Sequence, residues 1–308
     1  MKHIYYIFFL SLLFLQCKDA HKIEESNQSS LQLSAWEQVD TSCTIGLVAL
    51  DMERIANFTV EVGEYLFIED FINLLQPLIP SKTNYSKKEA LEILQTIDYA
   101  IRRMRTQQLE YESSFSTCIR YRIFDCDINS LLYLTIGEHL GLPIYGLVLP
   151  KHMLVLWKDE GQEIYWETTE GQVRSKEFYL EKYGIEDQQS GKNMLLSSLT
   201  KKDLLAVISF NMGKAYADKG IFEEGIRYSL EATELRKDWY SPYSTIATIY
   251  QNMELPENAL YYSRKAIQCF RRDVESHRVM AWAYTVLGCD TEAEEVFKSL
   301  SVEAWGAR

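Results

Sequence analysis

The hydrophobic pattern in the middle of the chain changes from a helical to an extended period. Apolar residues at helical spacing over 127–139 predict a helix, with Asp125 as its N-cap and Cys126 as its first residue. Gly141 is expected to end this helix, because glycine adopts the left-handed conformation of a C-terminal cap without strain. Short apolar runs bounded by turn residues then predict three strands, at 144–149, 152–157 and 163–168.

The last third of the chain repeats with a period of 34 residues. Three positions carry matching residues in all three copies. They are Gly213, Ala247 and Ala281; Tyr216, Tyr250 and Tyr284; and Gly225, Ala259 and Ala293. Small residues let two antiparallel helices approach closely, and tyrosine fills the groove between them. This pattern resembles tetratricopeptide repeats, in three copies over residues 200–304. The resemblance implies an all-α solenoid that either binds a protein or peptide partner or supports the neighbouring domain.

The first residues have the layout of an export signal. A basic start precedes an apolar run over residues 4–15, which is shorter than the ~20 residues of a membrane-spanning helix. Cys17 follows directly, and residues 1–17 resemble a bacterial lipoprotein signal in which the cysteine is acylated. The resemblance implies an exported protein with lipid attached at Cys17, anchored at the periplasmic face or cell surface. Residues 18–40 predict a polar tether, and a plain signal peptide is the alternative.

Composition and charge narrow the classes of partner. With 308 residues, 47% apolar and 25% charged, the chain can bury a sizeable core. Its net charge of −12, without a run of basic residues, argues against a nucleic-acid partner. The five histidines are scattered and no metal-ligand spacing occurs, so we expect neither a metal nor a cofactor. Membrane contact is expected through the lipid anchor only.

The cysteine count leaves at least one thiol outside any disulfide. Six cysteines become five once Cys17 is modified, and five cannot all pair. The remaining positions 43, 269 and 289 are interpreted as small buried apolar residues. A disulfide between Cys118 and Cys126 is an alternative in an exported protein.

Three residues in the middle third are candidates for catalysis: Cys126, His152 and Glu167. The dipole and unpaired N–H groups at a helix N-terminus favour a thiolate, so we expect the Cys126 thiol to be more acidic than a free cysteine. The same N–H groups are suited to stabilise the oxyanion of a tetrahedral intermediate by hydrogen bonding. Adjacent antiparallel strands would place His152 beside Glu167, as a base and the acid that orients it. This order of nucleophile, base and acid is that of papain-like thiol acyl transfer.

The segment around these residues resembles the transglutaminase-like superfamily. Cys126 stands 15 residues before Gly141 of the motif Leu140-Gly-Leu-Pro143, His152 begins a hydrophobic strand, and Trp166-Glu167-Thr168 lies where the family has a Trp and an Asp. The resemblance implies an α+β domain over 41–190, in which the nucleophile helix packs on an antiparallel sheet. It also implies catalytic roles for Cys126, His152 and Glu167, with glutamate replacing the family's aspartate.

Two functions are consistent with these patterns. The first is a membrane-anchored, exported cysteine acyl-transfer enzyme that hydrolyses or transamidates an amide through a thioester, with a repeat module for partner binding. The second is a catalytically inactive transglutaminase-like lipoprotein whose repeats make it a protein-binding scaffold. The chemistry of Cys126 distinguishes the two.

Overall fold

The computed structural model describes residues 33–106, 113–185 and 194–303. Helices come first along the described chain, a four-stranded antiparallel sheet follows, and a second set of helices comes last. Within these three ranges, no helix is long and apolar enough to cross a membrane. The predicted signal, Cys17 and most of the predicted tether lie outside the described residues.

Five α-helices precede the sheet in the described part of the chain. They are α1 (Ile45–Ile55), α2 (Val62–Leu75), α3 (Lys87–Met104), α4 (Phe115–Tyr121) and α5 (Cys126–Leu140). Helix α5 is buried along most of its length and packs against α1 and the sheet. The hydroxyl of Tyr133 on this helix accepts from the Trp166 indole at 2.7 Å and donates to the Leu94 carbonyl at 3.1 Å. One side chain therefore links the sheet, α5 and α3.

Both ends of α5 follow the sequence prediction. The carboxylate of Asp125 accepts a hydrogen bond from the backbone N–H of Ile128 at 3.0 Å, so Asp125 is the N-cap and Cys126 the first helical residue. Gly141 ends the helix with a φ of 65°, in the left-handed region that favours glycine. The capping residues at the two ends therefore determine that Cys126 is the first residue of the helix.

The sheet consists of β1 (Ile144–Leu149), β2 (His152–Asp159), β3 (Gln162–Glu167) and β4 (Gln172–Arg174), paired in chain order. The first three strands confirm the prediction. Strand β4 and the next helix, α6 (Lys176–Tyr183), were not predicted. A strand of three residues, exposed along most of its length, is too short to show a hydrophobic period.

Six helices form the rest of the described chain. They are α7 (Lys201–Asp218), α8 (Phe222–Leu235), α9 (Tyr240–Asn252), α10 (Pro256–Cys269), α11 (Val274–Val286) and α12 (Asp290–Glu303). Contacts are concentrated between helices that are consecutive in the chain. A Cβ placed on Gly213 of α7 would lie 2.6 Å from the Ser229 hydroxyl of α8, so this position requires a glycine for the two helices to approach.

The two halves share one hydrophobic core. Lys201 of α7 forms an ion pair with Glu138 of α5 at 2.8 Å. At the other end of α7, the Tyr216 hydroxyl donates to the carbonyl of Ala56, which follows α1. The helical half is therefore packed directly against the half that carries the candidate site.

The end of the predicted tether is part of this packed structure. Ala35–Gln38 form a short 3₁₀ helix, and the buried Ala35 donates its backbone N–H to the Glu231 carboxylate of α8 at 3.3 Å. The expectation of a solvated tether as far as residue 40 therefore needs correction for these residues. Burial of Ala35 and the partial burial of Trp36 favour packing over solvation here.

Candidate functional site

The three predicted residues meet at one end of the sheet. Cys126 is the first residue of α5, His152 the first of β2 and Glu167 the last of β3. Cys126 and His152 line the same cleft, which has a volume of about 530 Å³. His152 Nε2 lies 2.7 Å from Glu167 Oε2. The fold thus brings together three side chains that are up to 41 positions apart in sequence.

Strand register explains how the histidine reaches the carboxylate. Val155 of β2 pairs with Trp166 of β3, so His152 and Glu167 are placed diagonally across the two strands. The side-by-side placement expected from the sequence is therefore diagonal. Diagonal neighbours on one face of a sheet are within reach of long side chains, which closes the 2.7 Å contact.

Glu167 lies in a closed pocket of donors. The residue is 4% exposed, and besides His152 its carboxylate accepts from the Thr169 hydroxyl at 2.8 Å and from the Tyr179 hydroxyl at 3.2 Å. Burial alone would raise the pKa of Glu167, but hydrogen bonds from His152 and Thr169 and the charge of His152 outweigh it and lower the pKa to about 2. An ionised Glu167 makes Nε2 of His152 the donor and leaves Nδ1 as the basic nitrogen.

The surroundings of the Cys126 thiol have the opposite effect, because they disfavour its charged form. Burial raises its pKa well above the ordinary value, and the charges of Asp127 and Asp125 raise it further. A hydrogen bond with the backbone of Met153, the residue after His152, acts in the other direction. The sequence-based expectation of an acidic thiol is therefore wrong for this structure, since burial and two neighbouring carboxylates outweigh the helix N-terminus.

Asp125 connects the start of α5 to the helical half. Burial and the neighbouring charge of Asp127 raise its pKa to about 6, while the charge of Lys214 on α7 lowers it. Lys214 lines the same cleft as Cys126. The electrostatics of the nucleophile position therefore depend on both halves of the molecule.

Two residues of the site come from α6, which the sequence analysis did not predict. Tyr179 donates to Glu167, and the ring of Tyr183 stacks near the ring of His152 with centroids 6.5 Å apart. Burial and the charges of Glu167 and Cys126 raise the pKa of Tyr183 to about 12. The cap signals Ser175 and Gly184 on either side of α6 could have indicated this helix.

The second wall of the cleft belongs to the helical half. Side chains of α7 and α9, with Glu275 of α11 and its N-cap Asp273, face the loop and strand residues around Cys126. The side chains of this wall include Phe210, Asn211, Lys214, Trp239, Tyr240, Ser244, Thr248 and Glu275. No pattern in the sequence predicted that these helices lie opposite the thiol.

The cysteines do not form the alternative disulfide. In the three described ranges, no disulfide joins Cys118 to Cys126. Cys43, Cys269 and Cys289 are half-buried, not fully buried as predicted. Across the same residues, no group of three or more His, Cys, Asp or Glu side chains is arranged to hold a metal ion.

Comparison with known protein families matches residues 68–206 to the transglutaminase-like superfamily. The chain therefore contains a transglutaminase-like domain at these residues. The matched segment includes α5, the whole sheet and the first residues of α7. No curated protein matches the chain.

Proposed function

We propose that this protein is a cysteine acyl-transfer enzyme with Cys126 as nucleophile, His152 as general base and acid, and Glu167 as the residue that orients His152. The observation that carries the proposal is the buried 2.7 Å contact between His152 and Glu167, at the edge of an open cleft that Cys126 also lines. A histidine held by an ionised carboxylate next to a cysteine is the arrangement that nucleophilic catalysis requires.

In the proposed reaction, the Cys126 sulfur attacks an amide carbonyl while its proton passes to Nδ1 of His152. The resulting tetrahedral oxyanion is stabilised by the backbone N–H of Cys126 at the start of α5, because those of Asp127 and Ile128 donate to the Asp125 carboxylate. When the intermediate collapses, His152 returns the proton to the leaving amine and a thioester remains on Cys126. Water or a second amine then attacks the thioester, releases the acid or the new amide, and restores the thiol. The raised pKa of the thiol implies that its proton leaves during the attack, not before it.

Acylation by p-nitrophenyl acetate tests the proposal without knowledge of the natural substrate. The wild-type protein should carry an acetyl group on Cys126, detected by peptide mass spectrometry, and should release nitrophenol with turnover. His152→Ala should slow acylation by about 100-fold or more, in the range of general-base catalysis. Cys269→Ser is the matched control and should acylate normally. Acetylation that does not depend on His152 would contradict the proposal.

The alternative function is a scaffold in which the transglutaminase-like domain is inactive. The observation that favours it is the elevated pKa of Cys126, caused by burial and by two carboxylates. In that case the protein would bind partners through its helical half without acyl transfer. Absence of nitrophenol turnover, together with intact folding, would select this function.

We further propose that α7 to α12 form three tetratricopeptide repeats. Support comes from the 34-residue columns and from stacked tyrosine pairs at equivalent positions, Tyr216 with Tyr228 and Tyr250 with Tyr262, whose ring centroids are 5.6 and 5.5 Å apart. A consensus copy of the middle repeat, exchanged for residues 236–269, should preserve folding if the register is right. Loss of the folded state would argue against the assignment.

Export and lipid anchoring through Cys17 are proposed from the sequence of residues 1–17. Cys17→Ser should release the protein from the membrane fraction and leave the precursor unprocessed. Unchanged membrane recovery of this variant would refute the lipid anchor.

A further inference from the structure

Two buried polar side chains near the start of α5 contact the residue that follows Glu167. The amide Nδ2 of Asn129 donates to the main-chain carbonyl of Thr168 at 3.2 Å. The hydroxyl oxygens of Ser130 and Thr168 are also 3.2 Å apart and share a second hydrogen bond. Asn129 and Thr168 are 2% exposed and Ser130 is fully buried. These two hydrogen bonds, which we call the Thr168 contact, therefore join α5 to the end of β3 out of reach of water.

The Thr168 contact links the two parts of the candidate site. Asn129 and Ser130 lie three and four positions after Cys126, which is about one helical turn along α5. Thr168 directly follows Glu167, the last residue of β3. The contact therefore runs from one turn beyond the nucleophile to the neighbour of the carboxylate that holds the base.

Other contacts between α5 and the sheet constrain this end of the helix less closely. Helix α5 packs mainly against β1 and β2, where for example Leu134 packs beside Gly146. Apolar packing is non-directional, whereas a hydrogen bond weakens steeply when its distance or angle changes. The hydrogen bond from Trp166 to Tyr133 is directional, but it lies a further turn away from Cys126. The Thr168 contact is thus the one best placed to set the position of the thiol along the helix axis.

Stability alone does not account for polar side chains at these positions. Replacing both partners of a buried hydrogen bond with apolar groups of the same shape is often nearly neutral. Asn129 carries an additional cost, because among the described residues no group donates to its buried Oδ1. Buried polar contacts of this kind specify one arrangement of the elements that they join.

The thiol itself makes a contact that depends on this arrangement. The backbone N–H of Met153 donates to the Cys126 sulfur. Met153 follows His152 on β2, so the sulfur is held next to the strand that carries the base. A shift of α5 relative to the sheet would weaken this hydrogen bond. Protection of the Met153 amide therefore reports the placement of the thiol, whether or not the protein is an enzyme.

From these observations we infer that Asn129 and Ser130 are positioning residues for the reaction proposed above. Through Thr168 they hold the start of α5 in a fixed position relative to the histidine–glutamate pair, so that the Cys126 sulfur can deliver its proton to the base. This inference rests on the proposed function of Cys126. Loss of the Thr168 contact should slow acylation while the protein remains folded.

Replacing the hydroxyl pair with apolar side chains tests this inference on the full-length protein. The double variant Ser130→Ala/Thr168→Val removes both hydroxyls together, so neither is left buried without its partner. Its acylation by p-nitrophenyl acetate should be roughly 10- to 100-fold slower than that of wild type, the range expected when a reacting group is misplaced by up to about 1 Å. Its urea midpoint of unfolding should stay close to the wild-type value.

Two matched variants provide the controls. The exchange Ser130→Thr/Thr168→Ser keeps a hydroxyl on each side and the same total number of atoms, so it should acylate at close to the wild-type rate. Thr135→Val removes another buried hydroxyl of α5, but that hydroxyl donates within the helix, to the Leu131 carbonyl. It should also leave the acylation rate unchanged.

Coupling to His152 separates positioning from a general loss of structure. If the Thr168 contact acts by placing the sulfur at His152, the apolar double variant should slow acylation only slightly when His152→Ala is already present. A purely structural defect would slow acylation by the same factor with and without His152. Equal factors in the two backgrounds, or a wild-type rate in the apolar double variant, would overturn the inference.

Amide hydrogen exchange at Met153 tests the placement of the thiol independently of catalysis. Exchange should be faster in the apolar double variant than in wild type and unchanged in the Ser130→Thr/Thr168→Ser exchange. If wild-type acylation does not depend on His152, the proposed function fails, and faster Met153 exchange still supports the role of the Thr168 contact in placing the thiol. Unchanged Met153 exchange in the apolar double variant would contradict that role.

A single substitution keeps the inference falsifiable if the apolar double variant does not fold. Thr168→Val preserves the shape of the side chain and the main-chain carbonyl that accepts from Asn129. It should slow acylation and speed Met153 exchange, each by less than the double variant. Wild-type behaviour of Thr168→Val in both measurements would count against the inference.

Discussion

Two acidic residues at the site, Glu167 at the end of β3 and Asp125 at the start of α5, have opposite electrostatic environments. Donors surround Glu167, and its pKa is lowered to about 2. Burial and the like charge of Asp127 disfavour the ionised form of Asp125 and raise its pKa to about 6. The half of the site that orients the histidine is therefore stabilised in its charged form, whereas the half that holds the nucleophile is not.

This difference indicates how the two halves contribute to function. The His152–Glu167 pair is pre-organised in the absence of a ligand, as expected for a group that positions a base. The start of α5 carries negative charge that opposes formation of a thiolate. A ligand that brings positive charge into the cleft would reduce that opposition.

The largest effect is expected for Glu167→Gln. The ionised carboxylate stabilises the folded state at every pH above its free pKa of 4.5, and this contribution is lost as the pH falls toward 2. The difference between the two pKa values corresponds to about 3 kcal/mol. Urea unfolding should show the variant less stable than wild type by about this amount at pH 6, with the two curves converging near pH 2.

Glu89→Gln serves as the control for this measurement. The pKa of Glu89 is also lowered to about 2, chiefly by its hydrogen bond with Lys82, but that ion pair lies at the surface. Its contribution should be small and should disappear at high salt. A pH dependence of Glu167→Gln that matches wild type would contradict the assigned environment of Glu167.

Asp125→Asn should change stability in the opposite direction. The folded chain raises the pKa of Asp125 from 3.8 to about 6, so wild-type stability falls as the pH rises through this interval. Asparagine keeps the N-cap hydrogen bond but carries no charge. At pH 7 the variant should be more stable than wild type by about 3 kcal/mol, and below pH 4 the two should be equal.

The same substitution at Asp203 tests whether this gain is specific. Burial raises the pKa of Asp203, but hydrogen bonds from Thr200 and Arg236 outweigh it and the net pKa is lowered. Asp203→Asn should therefore lose stability at pH 7, as measured by the same unfolding experiment. A gain at both positions would mean that loss of net negative charge, not the local environment, explains the result at Asp125.

Tyr179→Phe should have a smaller effect of the same sign as Glu167→Gln. It removes one hydrogen bond to Glu167 and leaves those from His152 and Thr169. The expected loss is about 1 kcal/mol in the free energy of unfolding at pH 7. Tyr99→Phe, at an exposed tyrosine, is the control and should lie within about 0.5 kcal/mol of wild type. Equal stability of Tyr179→Phe and wild type would show that the 3.2 Å contact contributes nothing.

The sequence predicted those features that depend on local signals. The N-cap at Asp125, the end of α5 at Gly141 and the first three strands follow from capping chemistry and hydrophobic period. Proximity of His152 and Glu167 followed from the antiparallel order of two strands. The diagonal placement of the two residues could be determined only from the structure.

Features that depend on what covers a residue could not be predicted. Cys126 shares its cleft with helices more than 80 positions later in the chain, whose relation to the thiol no local pattern reveals. Strand β4 and helix α6 are too short to produce a period, so Tyr179 and Tyr183 were missed with them. The helix dipole was the one electrostatic effect on Cys126 that the local sequence indicated. The structure adds stronger effects of opposite sign, namely burial and the charges of Asp127 and Asp125.

Asp127→Asn separates these effects on the thiol, with the smallest change in stability. Asp127 raises the pKa of Cys126 through its charge and through its 3.6 Å contact with the sulfur, and only burial is a larger cause. Removing the charge lowers the thiol pKa, so iodoacetamide should alkylate Cys126 faster than in wild type at pH 7.5, as followed by peptide mass spectrometry. Unfolding should change by less than about 0.5 kcal/mol, because Asp127 is half-buried and caps no helix. Asp218→Asn, at an exposed carboxylate on the opposite wall of the same cleft, should not change the alkylation rate. If Asp127→Asn reacts at the wild-type rate, burial alone controls the thiol, and only a ligand that reorganises the cleft could activate it.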